Sequence, residues 1–324
     1  MSVYGTGSNV HIDKVLTNIS LAYQNPEFVG NELFPQVNVA KQSDLYYTFG
    51  YESWTQPVGG DSRAPGTEAN EVPGLAVSTN SYFATEHSLQ IAVTDEERQN
   101  ADVPLAPDRD GTELITSQIH LEREKAIVDM VTSTGNFPSG SHTTLSGTSQ
   151  WSDLDDSDPI NDIRTGTRTV MGLLFKEPNV AVMPYKVLSY LEDNDKIINR
   201  IKYAMPGVLT KDLIAGVVGI PKVIVAGAGY NTANPGQTTS LSYLWGTNVL
   251  MAYVPERAGL KTPAFGYEFV WGYPSGGAQV VERWREEPRK SDMVRVSRRY
   301  DLNLIAMDSS SKSIAGYLIK AAIA

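Results

Sequence analysis

The strongest periodic signal in the chain lies near its C-terminal end. Over about fifteen residues Val294, Val296, Arg298, Tyr300, Leu302, Leu304 and Ala306 interleave with Arg295, Ser297, Arg299, Asp301 and Asn303. A period of two marks a strand with one buried face, and this run far exceeds the usual five or six residues. AQVVERWREE (278–287), joined through PRKS, is the expected hairpin partner. A second alternation, LYYTFGYESW (45–54), sets Leu45, Tyr47, Phe49 and Tyr51 against Tyr46, Thr48, Glu52 and Trp54. A third, answering it, runs Val77, Thr79, Ser81, Phe83, Thr85, His87, Leu89, Ile91, Val93.

Between the second and third runs lie about twenty residues with three prolines and four glycines. A linker of that kind is unusual inside a compact domain. The pattern predicts a projecting hairpin with an open tip. Arms of some fifteen residues at about 3.3 Å each reach roughly 50 Å, farther than a domain of this size needs to cover its own core. A neighbouring copy is the natural surface for such an arm.

Helical spacing appears elsewhere. Residues 8–23 place Val15, Leu16 and Ile19 on one side, followed by an irregular stretch with Pro26, Gly30 and Pro35. The clearest long helix is 108–133, with Asp108 and Asp110 at its start and Leu114, Ile115, Leu121, Ile127, Val128 and Val131 as apolar positions. After a Gly/Ser/Thr-rich and acidic loop (134–157), Asp158 caps a helix with Pro159 at its first position. Ile160, Ile163, Val170, Met171 and Leu174 mark the side of that helix expected to be buried. The texture then turns α/β: strands at 179–183, 222–226, 248–254 and 265–271, with helices after Pro184, around 196–204 and over 211–218. No internal repeat of fixed period is present.

Composition narrows the class. With 324 residues and 41% hydrophobic content the chain can build a substantial core. It has no cysteine, so disulfides, thiol nucleophiles and cysteine-ligated metals are excluded. The N-terminus has no basic-then-apolar segment, and no run of about 18 apolar residues occurs, which predicts a soluble protein made and used in the cytoplasm, without a membrane partner. A formal charge of −10 argues against a dedicated nucleic-acid reader. The charge is uneven: residues 1–160 carry 23 acidic and 7 basic side chains, residues 161–324 carry 14 and 20. Either copies attract one another head to tail or the two halves fold against each other.

The order of arm, aromatic hairpin, long helix, α/β section and very long C-terminal hairpin resembles the tailed-bacteriophage major capsid protein family, a fold shared with encapsulin shells. The stretches LAYQNPEFVGNELFPQVNVAKQSDLYYTFGYESW (21–54) and VVERWREEPRKSDMVRVSRRYDLNLIA (280–306) carry the resemblance most specifically. It implies an α+β fold with an N-terminal arm (1–43), an extended loop (44–93), a peripheral domain in two parts (94–158, with a spine helix at 108–133, and 278–324) and an α/β axial domain (159–277). It also implies a structural role, with hexamers and pentamers closing an icosahedral shell around double-stranded DNA held without sequence-specific contacts. Further expected partners are a separate scaffolding protein, because the arm starts almost at Met1, a portal and a cement protein. Tyr46, Tyr47, Phe49, Tyr51, Trp54 and Phe83 of the hairpin, with Arg298, are the expected assembly contacts, and the virion, built in the bacterial cytoplasm, is the expected location. An encapsulin-like shell with protein cargo is the alternative, and an α/β enzyme built on 179–277 is a third.

Enzyme and cofactor chemistry finds little support. His11, His87, His120 and His142 are scattered without metal-ligand spacing. VIVAGAG (223–229) imitates the opening of a dinucleotide fingerprint through Gly227 and Gly229, but Thr232 stands at the third glycine position and YNTANPG cannot open the helix that would hold a pyrophosphate. The acidic run Asp153, Asp155, Asp156, Asp158 lacks the glycine and glutamate of a calcium loop, with Asp158 and Arg164 at those places. Arg283, Arg285, Arg289, Lys290, Arg295, Arg298 and Arg299 alternate with acids, as cross-strand and intersubunit ion pairs do. Catalytic, cofactor and metal residues are therefore expected to be none. Arg298 stands out, because it occupies the apolar face of the long strand and must snorkel or meet a carboxylate, for which a neighbouring subunit is the expected source.

Overall fold

A computed structural model describes residues 11–12, 16–17, 28–48, 57, 61–69, 71, 78–101, 105–201, 211–234, 236–259, 262–273, 277–308 and 310–324. In chain order the elements are β1 (His11–Ile12), α1 (Gly30–Leu33), β2 (Gln36–Val39), β3 (Ser43–Thr48), β4 (Ser78–Phe83), β5 (Thr85–Thr94), α2 (Asp95–Asn100) and α3 (Pro107–Val131). There follow β6 (His142–Thr144), α4 (Pro159–Leu174), β7 (Val180–Pro184), α5 (Tyr185–Glu192), α6 (Asp195–Ile201), α7 (Lys211–Val218), β8 (Lys222–Ala226), β9 (Gly229–Asn231) and β10 (Leu241–Tyr243). The chain ends with β11 (Val249–Ala252), β12 (Gly266–Trp271), β13 (Gln279–Glu286), β14 (Ser291–Leu304) and β15 (Gly316–Lys320).

The 14-residue β14 organises the long sheet. Residues 291–298 pair with β13 and with β5, which must therefore lie on opposite edges. Tyr300 pairs with both Thr85 of β5 and Val270 of β12, so β12 also lies opposite β5. β12 and β13 thus line one edge of β14 end to end, with β2 outside β12 and β1 outside β13. The long α3 crosses one face of this sheet. Ile115 and Ile119 meet Val281, Val294 and Val296 there, while Ile127, Val128 and Val131 continue into the main core. Of the apolar positions expected on this helix, Leu114 is exposed and Leu121 only half buried.

The second sheet runs β6-β15-β11-β7-β8 and carries α4 to α7. Every residue of β7 and β11 is buried, as expected for strands covered on both faces. At the start of α4 the Asp158 carboxylate accepts the Asn161 N–H at 3.0 Å and Pro159 occupies the first turn, as the sequence predicts. Met171, expected on the buried side, is exposed instead. Phe34, Phe137 and Phe265 join the two sheets, with ring centroids 5.8 and 6.3 Å from Phe265.

Three expectations change. The alternation from Val77 to Val93 is not one hairpin strand: it divides at the buried Ala84, so that β4 pairs with β3 while β5 pairs with β14. The alternation itself survives, because it reports which face a side chain takes and not which strand lies alongside. β12, expected in the α/β section, belongs to the long sheet, and β15, expected with the peripheral part, lies between β6 and β11 in the five-stranded sheet. The glycines of VIVAGAG, by contrast, lead into strand β9 and not into a helix, as the sequence predicts.

Helix α4 lies close against β11 and β15 at Gly166. A methyl group there would overlap Met251 Cε and stand 2.7 and 2.9 Å from ring carbons of the buried Tyr317. Gly166→Ala should therefore lose about 1–3 kcal/mol from overpacking even though alanine favours the helix. Gly172→Ala, with open space at the same helix's far end, should be neutral or gain up to about 1 kcal/mol. Urea midpoints of the two variants are expected to move in opposite directions.

Candidate functional site

The hairpin β3–β4 has two unlike faces. The pairs Asp44↔Tyr82 and Tyr46↔Asn80 place Tyr46 and Tyr82 on one side, and Ser43↔Phe83 and Leu45↔Ser81 place Leu45 and Phe83 on the other. Tyr46 and Tyr82 are buried against Phe269, with centroids 5.0 and 4.8 Å away, and join Tyr267 and Ile305 in a separate cluster. Burial pushes the Tyr46 phenol up to about 12. The hydroxyl of Tyr46 donates to Asn303 Oδ1 at 3.4 Å and that of Tyr82 to the Lys41 carbonyl at 3.2 Å. On the outward face Leu45 is 64% and Phe83 56% exposed.

Of the expected assembly contacts, Phe83 is thus available on the surface, whereas Tyr46 is already used by its own chain. The hairpin root is part of the protomer's core, a correction to the expectation that its aromatic residues are buried only on association. Tyr47 is described only as a backbone position in β3, paired with Thr79. Phe49, Tyr51 and Trp54 lie outside the described residues.

Beneath the hairpin, where α3 crosses the long sheet, lies a buried charge cluster. The fully buried Glu268 of β12 accepts two hydrogen bonds from Arg123 of α3, at 3.0 and 2.6 Å, and a third from Arg298 of β14 at 2.8 Å. The carboxylate that Arg298 requires therefore comes from its own chain, and the expectation of an intersubunit partner for it is corrected. The Arg298 Nε has no acceptor among the described residues, and its guanidinium lies 5.6 Å from the centre of the Tyr300 ring. His87 stacks on the same Tyr300 ring, with centroids 4.3 Å apart.

Next to the bidentate arginine on α3, the buried Glu124 accepts the backbone N–H groups of Val29 at 3.0 Å and Gly30 at 2.9 Å. It thereby caps α1 and fastens the end of the N-terminal segment to α3. Glycine is required at position 30, since a Cβ would overlap Ile127 Cδ1 and stand 2.6 Å from Glu124 Oε2. Burial raises the Glu124 carboxyl, opposed by its backbone bonds and by Arg123. His120, also on α3, is driven down to about 4 by burial and by the positive charges of Arg298 and Arg123, with Glu268 opposing. None of Arg123, Glu124 or Glu268 was singled out in the sequence. Glu268, a lone acid within the apolar run GYEFVW, was the available signal.

A surface network continues this charge pairing at the end of the β13–β14 hairpin. Arg98 of α2 contacts Asp108 and Asp292 at 2.6 Å each, Arg283 contacts Asp292 at 2.6 Å, and Arg285 grips Asp95 through bonds of 2.7 and 2.6 Å. Burial works against ionisation of Asp292, but bonds from Arg283 and Arg98 outweigh it and hold its carboxyl below the usual range. Arg299 pairs with Glu86 at 2.9 Å and lies over the rings of Trp271 and Tyr273. The arginines of the second half thus neutralise Asp95, Asp108 and Glu86 of the first within one chain, which uses part of the charge asymmetry inside the protomer. Among the described residues, no three His, Asp or Glu side chains gather to hold a metal, and no helix is long and apolar enough to cross a membrane.

No established family profile matches the chain. The sequence is similar to the major capsid protein of Burkholderia phage BcepMu, 29% identical over 312 residues that span 95% of each chain. In structure it resembles a phage-related protein from Bordetella bronchiseptica RB50, with a TM-score of 0.73 and 23% identity over 96% of this chain and 97% of that one. It also resembles the putative capsid protein of a prophage of E. coli CFT073, with a TM-score of 0.54 and 11% identity over 96% and 99% of the two chains. The fold is the α+β fold of phage capsid proteins.

Two measurements probe the cluster. Glu268→Gln leaves two buried guanidinium groups without their carboxylate and should cost about 3–5 kcal/mol, whereas Arg298→Met keeps the bidentate pair and should lose clearly less. Chemical denaturation is expected to rank them in that order. His120 binds its proton less tightly in the folded state, so stability is complete above the ordinary value of 6.5 and falls as pH drops from 6.5 toward about 4. The loss attributable to this group reaches up to about 3 kcal/mol. His120→Gln should flatten that part of the stability profile without altering stability at neutral pH by a similar amount.

Proposed function

We infer that this chain is the major capsid protein of a tailed bacteriophage, a structural subunit of which many copies close into a shell. The observation that carries this reading is the end-to-end similarity to a protein that has this role, over 95% of both chains. The fold supports it independently, and the side chains gathered at the buried cluster suit holding elements in place and not turning over a substrate. The three hydrogen bonds to the Glu268 carboxylate all come from arginines, and the cluster lies away from solvent.

On this reading the chain assembles as hexamers and pentamers in an icosahedral shell around double-stranded DNA, with a scaffolding protein, a portal and a cement protein as partners. DNA is confined by enclosure, consistent with a net charge of −10 and with arginines committed to carboxylates. The protein's place is the virion. The peripheral part comprises α3 with β1, β2, β5 and β12 to β14, and the axial part comprises β6 to β8, β11 and β15 with α4 to α7. Residues 1–43 act as the arm and the hairpin around residues 44–83 as the extended loop that reaches a neighbour.

The outward face of that loop supports its role, because Leu45 and Phe83 expose apolar surface that the protomer does not use. The purified protein, produced together with its phage's scaffolding protein, should form closed spherical particles visible by electron microscopy. Shortening the hairpin by replacing residues 58–71 with a Gly/Ser turn should leave the protomer's unfolding free energy in urea within about 0.5 kcal/mol of wild type, because the buried root at Tyr46 and Tyr82 is kept. Its shells should be open or absent. Normal shells from the shortened protein would remove the loop from assembly, and failure of the wild type to form any particle would remove the capsid reading itself.

A further inference from the structure

Helices α4 and α6 are polarised in the same direction. Asp158 caps α4, with Arg164 and Arg168 farther along it, and α6 begins at Asp195 and carries Arg200 near its end. The two starts lie side by side, since Lys196 Nζ of α6 is 3.6 Å from Asp158 Oδ2 and 3.2 Å from the Asp156 carbonyl. The later parts also lie side by side: Arg164, Arg168 and Arg200 line one groove of about 730 Å³, whose other side is formed by α7. One edge of this helical layer is therefore acidic, and the groove is rich in arginine.

The arginines of this groove differ from Arg283, Arg285, Arg295, Arg298 and Arg299 of the long sheet, each of which meets a carboxylate. Arg164, Arg168 and Arg200 form no ion pair among the described residues, although Glu177 and Asp212 also border the groove. A guanidinium presents five donors, and three of them converging in one concavity offer a matched site for carboxylates. At the acidic edge, Asp155 and Asp156 are exposed, and Asp155 faces Asp195, which together with Asp153 and Asp156 raises its carboxyl. Capping accounts for Asp158 and for Asp153, which accepts the Asp156 N–H, but leaves Asp155 and Asp195 in a like-charge contact.

Hydrogen bonds tie the acidic loop to the start of α6. The buried Asn194 donates to the Leu154 carbonyl at 3.4 Å and to Ser157 Oγ at 3.0 Å, and Ser157 donates to the Asp153 carbonyl. At 1.5 Å per residue, Arg164 and Arg168 stand about 9 and 15 Å along α4 from Asp158. A loop pinned at the helix start does not reach its own groove. A second copy meets no such obstacle.

We propose that the groove lined by Arg164, Arg168 and Arg200 receives the Asp155–Asp156 loop of a second copy of this chain. The contact is heterologous, acidic edge to basic groove, and repeats around a ring when the rotation between copies closes. It rests on the reading of the chain as a shell subunit, and assigns to the α4–α6 layer a lateral contact within a capsomer. Solvated helix arginines would need no partner, and charge reversal separates the two cases.

The test uses the full-length protein in the same particle-forming preparation as the wild type. Arg164→Glu with Arg168→Glu, and separately Asp155→Lys with Asp156→Lys, should each lower particle yield by about tenfold or more, because like charges would meet across the contact. Circular dichroism should show both to be folded. All four changes in one chain should restore the particles, since the pairing is then reversed on both sides. Wild-type yield from either double variant, or failure of the fourfold variant to recover where both doubles fail, overturns the contact while leaving the shell reading intact. Should a reversal unfold the protomer, Arg168→Gln and Asp155→Asn replace it: particle formation should then respond less to salt near 1 M, where screening acts within about 3 Å. An unchanged salt response overturns the contact. A wild type that forms no particles overturns the shell reading, and this contact with it.

Discussion

The Glu268 carboxylate stands where the long helix crosses the long sheet, and three hydrogen bonds from two arginines converge on it. Taking such charges out of water costs several kcal/mol per ion, so the cluster is a poor source of net stability compared with well-packed apolar side chains. What it supplies is geometry. The apolar contact between α3 and the sheet is small, formed chiefly by Ile115 and Ile119 against Val281, Val294 and Val296, and such a patch tolerates sliding and rotation. A bidentate guanidinium does not, because displacement strands a buried charge. Arg123 ties α3 to β12, Arg298 ties β14 to the same carboxylate, and Glu124 next along the helix fastens α1. Helix, sheet and N-terminal segment are thus fixed to one point.

This arrangement extends to the hairpin. Contacts made by the hairpin β3–β4 reach β12 through the stacked rings of Tyr82, Tyr46 and Phe269. Glu268 is the neighbour of Phe269 in that strand, and its backbone N–H donates to the Pro35 carbonyl at the start of β2. A continuous path of packed rings and hydrogen bonds thus joins the root of the hairpin to the charge cluster and to α3. The ion network of Arg98, Arg283, Arg285, Asp95, Asp108 and Asp292 closes the opposite end of the sheet in the same way, pinning α2 and the start of α3 to the β13–β14 turn.

Much of this was legible in the sequence, and the part that was not has a physical cause. The long strand, its hairpin partner, the spine helix and the Asp158 cap can each be read from local spacing, because periodicity and capping are local constraints. Strand partnership is not local. The alternation from Val77 to Val93 specifies faces, and says nothing about the change of partner at Ala84, where β5 leaves the hairpin to follow β14 for ten residues. The assignment of β12 and β15 to opposite sheets is likewise set by chain crossings that leave no periodic trace. Arg298 was visible as an anomaly on an apolar face, but its partner lies 30 residues away in another strand. The expectation of a neighbouring subunit failed because a lone glutamate inside an apolar strand, GYEFVW, is the complementary anomaly, and the two explain each other.

On the proposed reading, the hairpin serves both the protomer and its assembly. Its inner face is aromatic and buried, so its root is held in place before any neighbour arrives. Its outer face carries Leu45 and Phe83 on polar surroundings of Ser43 and Ser81, an exposure too small to drive indiscriminate association yet large enough to gain from a fitted surface. Burying two such side chains contributes roughly 1.5–3 kcal/mol each. An arm that had to order itself on binding would lose part of that gain to conformational entropy. Because the root is already ordered by Tyr46, Tyr82 and Phe269, that loss does not fall on the root. A weak contact made by a pre-ordered element is well suited to a shell, since many such contacts act together in the closed particle while any one of them can still break and correct a misplaced subunit.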